Sequence, residues 1–184
     1  MGILIVIGII VLLILMIVGV YNAIIMLENR VQNAWGQIEV QLKKRHDLVP
    51  NLVETVKGYM THERDTLERV IQARNASVHA GSVPEAVASE NMLTGALRQL
   101  FALSEAYPDL KANQNFLQLQ NDLTGIENKI AYTRQAYNDA VLQYNNKVET
   151  FPGVVVAGLM GKTEKAMFEI EDATQREVPR VSFS

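Results

Sequence analysis

From Ile3 to Val20 every residue is apolar or glycine, and no ionisable side chain appears before Glu28. Eighteen such residues in helical form rise about 27 Å at about 1.5 Å each, close to the roughly 30 Å hydrocarbon thickness of a bilayer. Tyr21 follows where an interfacial aromatic belongs. Residues 3–20 are therefore expected to be a transmembrane anchor. A cleaved signal peptide fits less well: no basic residue precedes the run, the run is too long, and no small-residue cleavage site follows it. Position six is Val6 rather than Ser or Thr, against myristoylation. Gly8 and Gly19 are not at G-x-x-x-G spacing, so the span offers no packing motif of that kind.

Beyond the anchor the pattern changes to spacings of three and four. Apolar residues recur at Ile24, Leu27, Val31, Ala34, Ile38 and Leu42, then at Val49, Leu52, Val56 and Tyr59, which is a coiled-coil seam. No turn signal separates Val20 from Ile24, so the membrane helix is expected to continue into the soluble part as a stalk. Pro50 interrupts the stretch, but the spacing resumes in phase after it, which predicts a kink rather than an end. Gly58 weakens the helix before a second one over residues 61–79. Ser82, Pro84 and Glu85 form a helix start with a capping box, opening a third helix that runs to Ala106. A fourth is expected over residues 113–150, with its seam at Leu119, Leu123, Ile126, Ile130, Thr133, Tyr137, Ala140, Tyr144 and Val148. Phe151-Pro152-Gly153 ends it. Val154 to Gly161 is apolar and glycine-rich without periodicity. A short amphipathic helix is expected over residues 163–173, using Ala166, Met167 and Ile170, and an extended run over 178–183.

The predicted fold is all-α. An N-terminal transmembrane helix is continuous with an antiparallel, coiled-coil-like bundle of three or four long helices, followed by an irregular C-terminal tail. The expected division is 1–27 for the anchor and the start of the stalk, 28–151 for the bundle and 152–184 for the tail. The 184 residues suffice for one anchor and one domain of modest core. A net charge of -3 gives no basic excess to hold nucleic acid. The absence of cysteine removes disulfides, thiolate catalysis and thiolate metal sites together.

Several blocks, in order along nearly the whole chain, resemble the LemA family of bacterial membrane proteins. They are Asn29-Arg30-Val31 with Asn33-Ala34-Trp35, Asp47 to Val53, the run Tyr59 to Arg74, Glu105 to Ala112 with Asn113 to Phe116, Tyr137 to Val141, Tyr144-Asn145 and Phe151-Pro152. The resemblance implies a single N-terminal membrane helix followed by a helical bundle, in a family that includes a magnetosome-associated branch. It brings no catalytic residue. Met167-Phe168 stands where the family tail often has paired Phe, and Gly36 where Ala is usual; both departures bear on local packing.

Candidate chemistry is thin. His62-Glu63 opens like the zinc signature H-E-x-x-H, but position 66 is Thr66. His46 and His79 have no partner at helical ligand spacing, so all three histidines are expected at the surface. Gly161-Lys162-Thr163 matches the end of a P-loop, but position 156 is Val156 where that motif needs glycine. Glu63, Asp65 and Glu68 with Arg64 and Arg69 make a mixed-sign, solvated face. Asn128, Asn138, Asn145 and Asn146 are candidates for interhelical hydrogen bonds or for plain exposure. Trp35, the single tryptophan, is expected to pack on the stalk seam in preference to serving as a partner hot spot. No catalytic, cofactor-binding or metal-binding residue is assigned.

The expected function is that of a non-enzymatic scaffold held in the bilayer by residues 3–20. It would self-associate as a homo-oligomer, with residues 154–160 contributing to the contact unless they cover the bundle or meet lipid. The alternative is an adaptor for one membrane or cytoplasmic partner; nucleic acid is not an expected partner. An enzyme would need an enclosed polar pocket or a bound metal. The resemblance places the chain in the bacterial inner membrane. Arg30 and the cluster Lys43, Lys44 and Arg45 follow the span and no charged side chain precedes it, which puts the N-terminus outside and the helical part in the cytoplasm.

Overall fold

The computed structural model describes residues 1–60 and 62–168. Among the described residues six helices follow one another: α1 (Gly2–Lys57), α2 (Arg64–Val78), α3 (Val83–Ser104), α4 (Pro108–Lys111), α5 (Gln114–Glu149) and α6 (Gly153–Leu159). Among the described residues there is no strand. The chain divides into two compact units, one of residues 1–45 with 121–167, the other built on residues 46–120.

Span and stalk are one helix. α1 runs 56 residues without interruption, and it is long and apolar enough at its start to cross a membrane. The side chains of the span lie outside any core, whereas Val20 is only 7% exposed and Ile24 is fully buried. Packing in the first unit therefore begins at the last residue of the apolar run. From there Val31, Ile38 and Leu42 on α1 are buried, as are Leu123, Ile126, Ile130, Tyr137, Val141, Tyr144 and Val148 on α5. The expected seam is present with small shifts: Leu27, Ala34, Leu119 and Ala140 are half-buried, and Val141 takes the inner place beside Ala140.

Three contacts fix how α5 lies against α1 in this unit. Arg45 Nη1 is 3.2 Å from Glu127 Oε2. Ten residues back along α1 and ten on along α5, the rings of Trp35 and Tyr137 meet at 5.5 Å. Seven more in each direction bring Glu28 and Tyr144 together through Lys165, whose Nζ is 3.3 Å from Glu28 Oε1 and 5.1 Å from the centre of the Tyr144 ring. The equal steps define an antiparallel pair in constant register, and α5 runs back toward the membrane span.

In the second unit Val49, Leu52, Val56 and Met60 face inward with Leu67, Val70 and Ala73 of α2 and Leu93, Leu97 and Leu100 of α3. Tyr59, expected on this seam, is exposed, and Met60 takes its place. α2 and α3 pack on each other as a hairpin. Ser82 caps α3 as its sequence predicts, its Oγ accepting from Glu85 N at 3.4 Å. The Glu85 carboxylate reaches one residue further back than a standard capping box, accepting from Gly81 N at 2.9 Å. The Tyr107-Pro108-Asp109 break contains a four-residue helical turn, α4, with Pro108 at its start.

Pro50 lies inside α1 and the helix continues through it, with no loop around it. Proline lacks the N–H that would bond the carbonyl four residues back, which is that of His46. That carbonyl accepts instead from Arg74 Nε on α2, at 3.3 Å. A buried carbonyl left without a donor costs free energy comparable to a lost hydrogen bond. Arg74 thus offsets part of the cost of the proline.

The C-terminal part differs most from expectation. Val154 to Leu159 is helical after all. Gly153, Val156 and Ala157 face inward, and a Cβ on Gly153 would lie 1.8 Å from the carbonyl oxygen of Lys147, so only glycine fits this approach of α6 to α5. Seven residues are too few to display a period in the sequence. Gly161, at φ 63°, reverses the chain after α6. The helix expected over residues 163–173 does not form in its described part, 163–168. The backbone of Lys165 is instead taken by the Asn145 side chain, N–H to Oδ1 at 2.8 Å and carbonyl from Nδ2 at 2.9 Å. Those two groups are then unavailable to an i to i+4 ladder. Residues 169–173 and the run 178–183 lie outside the described residues.

The Arg74 contact predicts a double-mutant cycle measured by denaturant unfolding. Arg74→Met should destabilise the chain by about 1–2 kcal/mol, the worth of a charged hydrogen-bond donor to a buried acceptor. In a Pro50→Ala background, where residue 50 regains its N–H, the same substitution should cost clearly less. Equal costs in both backgrounds would contradict the compensation.

Candidate functional site

Two polar clusters stand out, one in each unit. In the first, the strap that follows α6 is tied to the start of the stalk. Lys162 Nζ is 2.7 Å from Glu28 Oε2, and Lys165 holds the other carboxylate oxygen. The hydrogen bond from Lys162 holds the Glu28 carboxyl below its ordinary range, against the opposing effect of burial. The same bond raises Lys162. Burial raises the Tyr144 phenol, and the Glu28 charge adds to the effect. Further along the strap, Tyr137 Oη donates to the carbonyl of Ala166 at 2.9 Å, and burial raises that phenol too. Trp35 is half-buried, its ring tilted at 60° against that of Tyr137, and it donates from Nε1 to Glu39 at 2.8 Å, so its place is on the seam. Of the asparagines considered, Asn145 bonds across elements, whereas Asn128 and Asn146 are exposed.

The second cluster was hidden from sequence reasoning, which put His46 at the surface. His46 is 9% and Glu90 3% exposed, and Ser77 is buried with them. His46 Nε2 lies 2.6 Å from Glu90 Oε1 and 3.2 Å from Ser77 Oγ, and Ser77 Oγ donates to the same carboxylate oxygen. The heptad step from Leu42 to Val49 carries His46 inward, a signal that its isolation from other ligands outweighed. Histidine, serine and carboxylate suggest acyl-transfer chemistry, but the geometry does not support it. A catalytic carboxylate orients the imidazole through one nitrogen while the serine uses the other. Here both partners share Nε2, and the serine hydroxyl is directed to the carboxylate. The arrangement is a satisfied buried network, in which stripping one partner leaves groups whose desolvation costs roughly 1–3 kcal/mol.

The remaining sequence candidates are dispersed. His62 and His79 are exposed. Glu63 accepts from Tyr107 Oη at 3.3 Å, and burial followed by the Glu63 charge raises that phenol. Among the described residues no group of three or more His, Asp or Glu side chains is placed to hold a metal. The P-loop-like Gly161-Lys162-Thr163 sits in a turn after a helix, with its lysine engaged by Glu28. Asp65, Glu68, Arg64 and Arg69 are exposed as expected.

The first cluster gives a pH dependence with a definite sign. A carboxyl depressed in the folded state stabilises the fold above its unfolded value, 4.5, and loses that contribution as pH falls through the lower folded value. Denaturant unfolding of the detergent-solubilised chain should show wild type more stable than Glu28→Gln at pH 7, with the gap closing at pH 3. A gap unchanged between these pH values would contradict the assignment.

Known proteins resemble this chain over most of its length. Protein LemA of Metamycoplasma hominis is 29% identical over 165 residues, 88% of this chain and 74% of its own length. Magnetosome protein MamQ 1 of Paramagnetospirillum magneticum is 22% identical over 179 residues, 83% of this chain and 66% of its own. Magnetosome protein MamQ of Magnetospirillum gryphiswaldense is 23% identical over 167 residues, 77% of this chain and 61% of its own. The chain thus spans less than two thirds of the magnetosome proteins it matches. The LemA family model matches residues 34–183, from the stalk through the bundle and on to the end of the strap and beyond, and the chain belongs to the LemA family.

Proposed function

We propose that this protein is a non-enzymatic helical scaffold, tethered in the membrane by residues 3–20 and self-associating there. The observation that carries the proposal is the unbroken passage of α1 from the apolar span into the core of the first unit. A flexible linker would let a domain sample all orientations relative to the span; a continuous helix holds the unit in one position relative to it. From Tyr21 to Arg45 the stalk rises about 37 Å at about 1.5 Å per residue. Such a tether suits holding and spacing partners at a membrane. Large apolar side chains left outside the bundle, among them Leu142 on α5 and Val40 on α1, give copies of the chain surface to share. The buried His46–Ser77–Glu90 network supports a structural use of the one grouping with catalytic residue types. The setting named in the magnetosome relatives belongs to those proteins; what is proposed here is the scaffold alone.

Orientation follows from the positive charges after the span, with the N-terminus outside and the bundle in the cytoplasm. One experiment tests both statements. A membrane-permeant amine crosslinker applied to intact cells should give a ladder of self-multiples, and an impermeant one should give none. A single foreign band with the permeant reagent would replace the scaffold by an adaptor. A ladder with the impermeant reagent would reverse the orientation.

A further inference from the structure

The outer face of α6 has no polar side chain. The helix reads Gly-Val-Val-Val-Ala-Gly-Leu, and with Gly153, Val156 and Ala157 turned inward it presents Val154, Val155, Gly158 and Leu159 outward. Leu159 is 82% exposed, and Phe151, just before the helix, is 80% exposed. A helix lying on a bundle in water ordinarily carries charged or polar residues on its outer side. This one is apolar all round, so its outer face is built for something other than water.

The position of α6 identifies what that is. The α1–α5 register, extended from Glu28 and Tyr144, sets Val148 level with Ile24 and the end of α5, at Glu149, level with Ala23, three residues from Val20. The chain after α6 is still near this end of the unit, where Lys162 binds Glu28, five residues along α1 from Ala23, and it then runs away from the span to meet Tyr137 at Ala166. The Tyr21 phenol is near enough to contribute to the field on Lys162. α6 and Phe151 therefore form the end of the first unit that faces the bilayer, beside the point where α1 leaves it. Polar residues flank the apolar face on both sides, Glu149 and Thr150 before it and Lys162 after it. That is the arrangement of an element set at the interface, with its charged ends in the headgroup layer.

We propose that α6 is an interfacial membrane element, its face of Val154, Val155 and Leu159, with Phe151, resting in the bilayer surface around the exit of the span. A second copy of the chain is the competing occupant. The bilayer is favoured because the patch continues the apolar surface of the α1 span near its end. Contact at two points, the span and α6, fixes the tilt and rotation of the first unit against the membrane, which a single span leaves free. The attraction is apolar, since Lys162 and Lys165 are engaged by Glu28. It does not depend on self-association and rests only on the span being in lipid.

The cysteine-free chain allows a direct test on the whole protein. Val155→Cys and Leu159→Cys, both exposed, carry an environment-sensitive fluorophore in phosphatidylcholine vesicles containing brominated lipids. Tyr132→Cys on α5 serves as the water-exposed control, about 30 Å along the bundle from the level of Val20 by the same register. Leu12→Cys in the span reports insertion. The proposal expects quenching at residues 155 and 159 at least twofold stronger than at 132, stronger with bromines near the headgroup than deep in the chains, and unchanged by adding anionic lipid. Quenching no stronger than at 132, with Leu12→Cys quenched, overturns it while leaving the tether intact. A blue-shifted but unquenched label at 159 also overturns it, placing protein rather than lipid on the face. An unquenched Leu12→Cys removes tether and proposal together.

Discussion

Hydrocarbon offers a backbone no hydrogen-bond partner, so a chain crossing a bilayer must satisfy itself as a helix. In α1 this ladder does not stop where the apolar run stops. It passes through Tyr21 and Ile24 and on into residues whose apolar stripe is buried. The first unit inherits its geometry from that continuity. Once α1 leaves the apolar run as a rigid helix, α5 has one stripe to match, at Val31, Ile38 and Leu42. The contacts of Arg45 with Glu127, Trp35 with Tyr137 and Glu28 with Tyr144 through Lys165 record the result. The level of α6 follows from the length of α5.

Irregular places in this chain have their backbone and charges satisfied from far along the sequence. The carbonyl orphaned by Pro50 is met by Arg74. The strap after α6 has no helix of its own to satisfy Lys165, and Asn145 does it. Glu28, the first carboxylate after the span, is held by two lysines more than 130 positions away. Such contacts add little apolar burial. They decide which of several similar helix packings the chain adopts, because a shift of register would leave each of these groups unpaired.

The long helices were legible because their period is written many times over. Eighteen apolar residues, a seam that resumes in phase across Pro50, and the Ser82 start of α3 each predict their element within a few residues. The cap was legible because it is local chemistry. What failed was short or distant. α6 has seven residues, about two turns, and its pattern depends on Gly153 fitting against Lys147. The strap is held by side chains from α5 rather than by its own sequence, so its helix-like apolar spacing does not decide its conformation. His46 has none of its partners near it in sequence; Ser77 and Glu90 arrive from other helices. The heptad step from Leu42 through His46 to Val49 is the signal in the sequence that points it inward.

The antiparallel register of α1 and α5 is the central claim, and disulfide formation between paired cysteines reads it most directly in a chain that has none of its own. By the observed steps Val31 is level with Val141, and Val148 lies seven residues, about 10 Å, closer to the span. Oxidation of membranes carrying Val31→Cys with Val141→Cys should give an intramolecular crosslink, seen as a mobility shift on a non-reducing gel. Val31→Cys with Val148→Cys should give none. Efficient crosslinking of the second pair in preference to the first, or of both equally, would contradict the register and with it the placement of α6 at the bilayer.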